Sequence, residues 1–469
     1  MTRLKSGVLI VLVTLTLSLI PCIVQADGSG GFVAVYNSGR ALVRETRVVT
    51  LPEGPAAVVF TDIPSTLEPA SVRAAADGMT VRDVEYSYHP ITAGNLLDAY
   101  VGKELSVILP DPSDANARIL RQATLLSNEG QPVFSVGNEV YVGNFEAVLL
   151  PKLPKDFDAE PTLTLTTQSA AAGKKNVTLS YLMGGVNWHA DYTMTLSKSG
   201  TTADLDAWAT VKNDSGRAFK SADVRLVAGD VQRAPAPRMV RNKSVMAMEA
   251  ASMDSGGGYA AEESFSQYHV YSVGRYISLP ANGSKQVGLF SSVDLPVKQK
   301  LTSRFHSGPG QRNGKLSQPV ELALSFENTE ISKLGRPMPD GRVRVFMPTT
   351  DGTQLLAGET RISHTAVGNE VRLVLGRSFD VTVERTQTHF KKVGKNAFEI
   401  GWKITAKNGK STPQDLVLRE SFPASWKVMS ADAEYTEADA GTIEFALTSL
   451  LPTKGTEGKI INYMVRIEY

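Results

Sequence analysis

Apolar and polar residues alternate with period two along nearly the whole chain, and that regularity rules out most folds. Successive side chains of an extended strand point to opposite faces, whereas an amphipathic helix needs apolar residues three and four apart. In AFEIGWKITAK, Phe398, Ile400, Trp402, Ile404 and Ala406 share one face, and Glu399, Lys403, Thr405 and Lys407 the other. The same alternation runs through NVTLSY, DLDAWATVKN, EVRLVL and the terminal IINYMVRIEY. Strands at such spacing, punctuated by Gly, Pro, Asn and Asp, predict an all-β protein: several immunoglobulin-like β-sandwich domains rather than a parallel α/β sheet. Asn408-Gly409 is expected to end its strand by positive-φ turn chemistry, and Asp351-Gly352 in TTDGT to form a type I′ hairpin turn.

Composition shifts divide the chain. An N-terminal β domain is expected over 27–90. A small β-barrel-like insertion with its connector follows over 91–160, opening on a short helical turn at Leu96 to Tyr100 and leaving through the Pro-rich PKLPKDFDAEP. A central β-sandwich covers 161–379, and a C-terminal immunoglobulin-like sandwich 380–469. Within the central domain, the Ala-, Ser-, Gly- and Met-rich stretch 233–264 has too few large apolar residues to offset the entropy of ordering, so it reads as a mobile loop.

The first residues address the compartment. Arg3 and Lys5 precede an apolar run from Val8 to Ile20, and Val24-Gln25-Ala26 has the small-residue spacing of a cleavage site, so 1–26 reads as a signal peptide. As a helix that run would span about 20 Å against a hydrocarbon core of about 30 Å, so no integral membrane span is expected after cleavage. The only cysteine, Cys22, lies inside this segment, and Pro21 before it fits lipoprotein processing poorly. The mature chain would then hold no disulfide, thiolate metal site or thiol nucleophile. A balance of 49 basic and 48 acidic residues supplies no field to steer a polyanion, which argues against nucleic acid as a partner.

The densest cluster of chemically versatile residues is YLMGGVNWHADYTMTL. On a strand, Trp188, Ala190, Tyr192, Met194 and Leu196 point one way and His189, Asp191, Thr193 and Thr195 the other. Burying an aromatic ring of roughly 150–250 Å² at about 25 cal/mol per Å² is worth about 4–6 kcal/mol, which accounts for Trp188 and Tyr192 as core anchors. His189 and Asp191 remain as candidate binding residues, able in principle to act as a base and its orienter. A zinc site needs three or four ligands, and no second histidine is near in sequence, so no metal is expected. Trp208 is the third candidate binding residue. It shares its face with Asp206, Thr210 and Lys212 while Leu205, Ala207, Ala209 and Val211 point the other way. That face is either a platform for stacking a sugar or partner, or the floor of a covering layer.

There is no Gly-x-Ser-x-Gly elbow, His-Glu-x-x-His, Walker loop or dinucleotide fingerprint, so no catalytic residue and no cofactor is assigned. VYNSGRALVRETRVVTLPEG, VNWHADYTMTL with ATVKNDSGRAFKSADVRLVAGD, and LGRPMPDGRVRVFMPTTDGTQLLAGE with VRLVLGRSFDVTVER resemble the bacterial domain-of-unknown-function 4139 family, which includes proteins labelled mucoidy inhibitor A. Many members carry a long coiled-coil insertion; this chain has no heptads and offers the small-barrel candidate in its place. The resemblance implies an envelope β-protein and brings no agreed reaction or site residues.

The favoured reading is an exported, non-catalytic β-sandwich protein, periplasmic or secreted, that binds an envelope protein or cell-wall polymer. An envelope hydrolase assembled at strand ends is the alternative. A third reading, an outer-membrane-associated β protein, rests on the alternation of Ile461, Tyr463, Val465, Ile467 and Tyr469. The sequence leaves oligomeric state open.

Overall fold

The computed structural model describes residues 21–24, 31–111, 114–154, 157, 160–229, 261–265, 268–308, 314–453 and 457–469. The leader up to Ile20, the cleavage point at Ala26 and most of the 233–264 loop lie outside them. The described residues are nearly all β, in six sheets. No helix of the described residues is long and apolar enough to cross a membrane. The chain crosses repeatedly between two compact units. One comprises residues up to Asn187 with Lys212–Leu226 and Arg275–Lys285; the other comprises Trp188–Val211, Val227–Gly274 and Gln286–Tyr469.

In the first unit, strands from both sides of the insertion come together. Gly54–Phe60 pairs with Thr162–Ser169, which pairs in turn with Met79–Ser87. Arg40–Leu51 pairs along its whole length with Gly173–Gly184. Pro21–Val24, inside the expected leader, runs parallel to Gly54–Phe60. The 91–160 segment is thus inserted between strands of one sheet. It opens on helix Ala93–Asp98, capped by the Thr92 hydroxyl, which accepts from the Asn95 amide. Its five strands run in the order Glu139–Tyr141, Val133–Val136, Asp114–Ser127, Glu104–Asp111, Ala147–Leu149 around a core that includes Leu105, Val107, Leu125 and Phe134. The outermost strands, three residues each, do not pair with one another, so the expected small barrel is an open sheet.

In the second unit, two sheets share one core. Leu301, Phe305, Leu416, Leu418 and Phe445 from a six-stranded sheet pack with Val383, Ile400, Trp402, Tyr463 and Val465 from a five-stranded one. This sandwich draws Lys298–His306, Lys315–Gln318, Val320–Glu327 and Glu370–Arg377 from before residue 380, where its start was expected. The reason is a parallel pairing of Lys298–His306 with Gln414–Ser421, which no local pattern announces. The alternation of the last strand is spent here: Ile461, Tyr463, Val465 and Ile467 are buried in the core rather than forming an outward apolar band. The end of the 233–264 stretch also differs from a loop, since Ala261–Phe265 pairs with Tyr268–Ser272 as a hairpin strand.

Two turns work differently from expectation. Gly352 alone of its pair takes a positive φ, +89°, while Asp351 accepts hydrogen bonds from the Thr349 hydroxyl and the Thr353 amide, so the turn is not type I′. Neither Asn408 nor Gly409 has a positive φ. Asn408 is buried and acts through its side chain: Nδ2 donates to the carbonyls of Thr412 and Leu450, both at 2.9 Å, and Oδ1 accepts from Lys410 N. The same lock recurs twice. Asn213 donates to Arg217 O and Pro280 O, and Asn328 to Arg336 O and Ala366 O. In each case a strand ends at, or one residue before, a buried Asn whose side-chain amide fastens its own loop and a distant one.

Each unit also buries an arginine against a glutamate and a tyrosine. In the first, Arg217 makes two bonds to Glu45, at 3.0 and 2.8 Å, and donates to Tyr181 Oη at 2.6 Å; Arg47 adds a bond at 2.9 Å. In the second, Arg385 holds Glu420 Oε1 at 2.6 Å and Tyr463 donates to Oε2 at 2.9 Å.

Candidate functional site

A five-stranded sheet carries the site, in the order Gly283–Pro296, Thr202–Asn213, Val186–Leu196, Gly341–Pro348, Gln354–Ile362. Alternation sorts its residues as the sequence requires. Trp188, Ala190, Tyr192, Met194 and Leu196 are buried, as are Leu205, Ala207, Ala209 and Val211. The buried polar tips are satisfied: Trp188 Nε1 donates to Val227 O at 3.1 Å and the Tyr192 hydroxyl to Pro339 O at 2.7 Å. Burial, with smaller contributions from Tyr271 and Asp340, holds the Tyr192 phenol well above its ordinary range, which makes it a fixed donor. Val186–Leu196 runs parallel to Gly341–Pro348, and Gly341 is demanded by contact: a Cβ there would lie 2.4 Å from Ala190 O.

The opposite face carries a transverse row of polar side chains. Gln286 donates to the Thr210 hydroxyl at 3.1 Å, and Thr210 donates to Asp191 Oδ2 at 2.7 Å. Arg344 lies 3.8 Å from Asp191 Oδ1 and bonds Glu359 at 2.9 Å, so one row spans all five strands. His189 Nε2 sits 3.2 Å from Asp191 Oδ2. At the near end, Arg361 grips Asp340 with two bonds, 2.9 and 2.6 Å, and the Asp340 amide donates to His364 Nδ1. The bonds from Arg361 hold the Asp340 carboxyl below its ordinary range against modest burial, with His364 and His189 contributing. Exposed pairs of this kind contribute about 0.2–1 kcal/mol each, so the row orders the face more than it stabilises the fold.

Asp191 is 14% exposed and His189 52%, so the carboxylate is enclosed by its donors and the imidazole edge is presented to solvent. Trp208 follows on the same face two residues before Thr210, 43% exposed, with Asp206 beside it. The three sequence-predicted residues therefore share one open sheet face. The hydroxyl in this network donates to Asp191 instead of facing the imidazole, so the arrangement is not a base poised on a nucleophile. Among the described residues, no three His, Cys, Asp or Glu side chains are grouped to hold a metal ion. What the face offers is a flat aromatic surface beside fixed donors and acceptors, a combination suited to stacking and hydrogen bonding.

The model of the family described as "Domain of unknown function (DUF4139)" matches residues 177–442, over half of the chain. The chain belongs to the DUF4139 family. An "N-terminal domain of unknown function (DUF4140)" matches residues 33–97 ahead of it. No curated protein matches this DUF4139 chain. Every residue of the polar row falls within the DUF4139 match. Arg344, Glu359, Asp340 and Arg361 were not singled out in the sequence. Their signal was present as outward-parity charges of opposite sign in DGRVRVF and AGETRI, but joining Arg344 to Asp191 requires knowing that two strands separated by some 150 residues lie side by side.

Proposed function

We propose that this DUF4139 protein is exported through its N-terminal leader and acts without catalysis in the cell envelope, periplasmic or secreted, binding a cell-wall polymer or an envelope protein. The observation that carries the reading is the open face on which Trp208 stands beside the Gln286–Thr210–Asp191–Arg344–Glu359 row. A ring of this size left accessible on a sheet is a stacking surface, and side chains held by their neighbours lose little entropy when a ligand engages them. The leader pattern and the resemblance to proteins labelled mucoidy inhibitor A support the envelope placement.

Co-sedimentation with purified cell-wall polymer, together with crosslinking in the native envelope, tests it. Retention or capture by the native chain should fall at least tenfold with Trp208→Ala and with Asp191→Ala. Turnover of the polymer that disappears with His189→Ala would transfer the site to the hydrolase reading. Recovery of the chain in the cytoplasmic fraction would remove the proposal altogether.

A further inference from the structure

The C-terminal sandwich is missing part of one edge. Strand Ser425–Ala431 pairs with the last strand in the five-stranded sheet as far as Tyr463. The chain then switches sheets, and Thr436–Asp439 pairs with Thr442–Glu444 in the six-stranded sheet. Beyond the switch, Phe445–Leu450 is paired on one side only, by Gln414–Leu418. Among the described residues no strand pairs its other side. Between the two open sheet edges lies a cavity of about 820 Å³, floored by Phe445, Leu447, Leu450 and Ile461. Leu451 at its mouth is 68% exposed.

Sheet edges of folded proteins are ordinarily blunted by charge, proline, a bulge or a covering segment, because unpaired backbone groups recruit other strands. None of the six residues 445–450 is charged or proline; a bulge, with Ser449 left-handed at φ +56°, interrupts the edge only after Leu447. At about 3.4 Å per residue the regular stretch Phe445–Leu447 is about 10 Å long, the length of the three-residue strands Glu139–Tyr141 and Ala147–Leu149 that pair elsewhere in this chain. Two acidic side chains, Glu434 and Glu457, stand on the rim with Lys459.

We propose that this edge accepts an extended segment of a partner polypeptide as an added strand, apolar at alternate positions to fill the floor and basic at an end to meet Glu434 and Glu457. Backbone hydrogen bonds to Phe445–Leu447 supply the affinity, and the apolar floor supplies selectivity. This surface is distinct from the Trp208 face and does not depend on it.

The test uses the full mature chain and a fluorescein-labelled peptide of four Val-Thr repeats with lysine at both ends, followed by anisotropy and by hydrogen exchange. Saturable binding is expected, with slowed exchange confined to 445–450. Methylating alternate peptide nitrogens should weaken binding at least tenfold, as should Leu451→Lys, while Trp208→Ala leaves it unchanged. The methylated peptide keeps the comparison valid even if the lysine variant fails to fold. Equal binding of the methylated peptide, absence of saturation, or protection elsewhere would overturn the proposal. So would self-association of the unliganded chain through residues 445–450, which would make the occupant a second copy.

Discussion

The two buried Glu–Arg–Tyr clusters use the same residue types and reach opposite electrostatic outcomes. Burial opposes ionisation of Glu45, but hydrogen bonds and charge from Arg217 and Arg47 outweigh it and hold the carboxyl below its ordinary range. Glu420 is fully enclosed with Arg385 as its cationic partner, and burial wins there, raising its pKa despite Arg385 and Tyr463. The lesson is that a buried carboxylate is set by how many donors surround it against how completely water is removed. Two arginines face Glu45 in the first cluster, with the exposed Asp62 engaging Arg217 from outside; a single arginine faces Glu420 in the second.

The largest effect should come from removing the cation that has no substitute. Arg385→Met strands Glu420 and is expected to cost about 3–5 kcal/mol in equilibrium denaturation. Tryptophan fluorescence reads the second unit directly, because all four tryptophans, Trp188, Trp208, Trp402 and Trp426, belong to it. Arg217→Met leaves Arg47 on Glu45 and should cost about 1–3 kcal/mol, read by hydrogen exchange in Arg40–Leu51. Equal losses would break the contrast.

The asparagine locks sharpen it next. Asn408→Ala removes two donated bonds and one accepted bond and should cost about 2 kcal/mol. Asn328→Ala should cost less, because Asn328 Oδ1 is buried with no partner among the described residues and its removal relieves that penalty.

Acid should act on the two units with opposite sign. Stability from Glu45 is fully present above the ordinary carboxyl range and is lost as pH falls through its lowered folded value. Glu420 binds its proton more tightly folded than unfolded. Its contribution is therefore greatest below the ordinary range and declines as pH rises toward the raised folded value. Hydrogen exchange in Arg40–Leu51 and Gln414–Ser421 across the acid range checks this, and parallel behaviour would refute it. The smallest effect belongs to the open face: Trp208→Ala should shift stability by about 1 kcal/mol, since the ring, 43% exposed, is only partly packed. A larger loss would mean that the ring is structural.

How much was legible follows from the range of each signal. Alternation placed Trp188 and Tyr192 inside and His189 and Asp191 outside, because side-chain direction on a strand is a property of adjacent residues. Residue type does not follow that direction in ALVRETRVVTL, where Glu45 and Arg47 take inward positions and Val48 is 55% exposed. A buried ion pair can occupy an apolar position only when its partner arrives from elsewhere, and Arg217 lies 172 residues from Glu45. Asn408 shows the same limit: its sequence neighbour Gly409 suggested a backbone turn, while its function depends on the carbonyl of Leu450.

The sequence by itself determined the all-β fold class, the inward and outward sets of strands such as Val186–Leu196 and Thr202–Asn213, and the outward direction of His189, Asp191 and Trp208 on their own strands. All of these rest on a local two-residue period. Only the tertiary structure decided which charges meet across the site sheet, which arginine neutralises which glutamate, and where the C-terminal sandwich leaves an edge unpaired. Those outcomes depend on strands brought together across long loops, and a pattern read over ten residues carries no record of its distant neighbours.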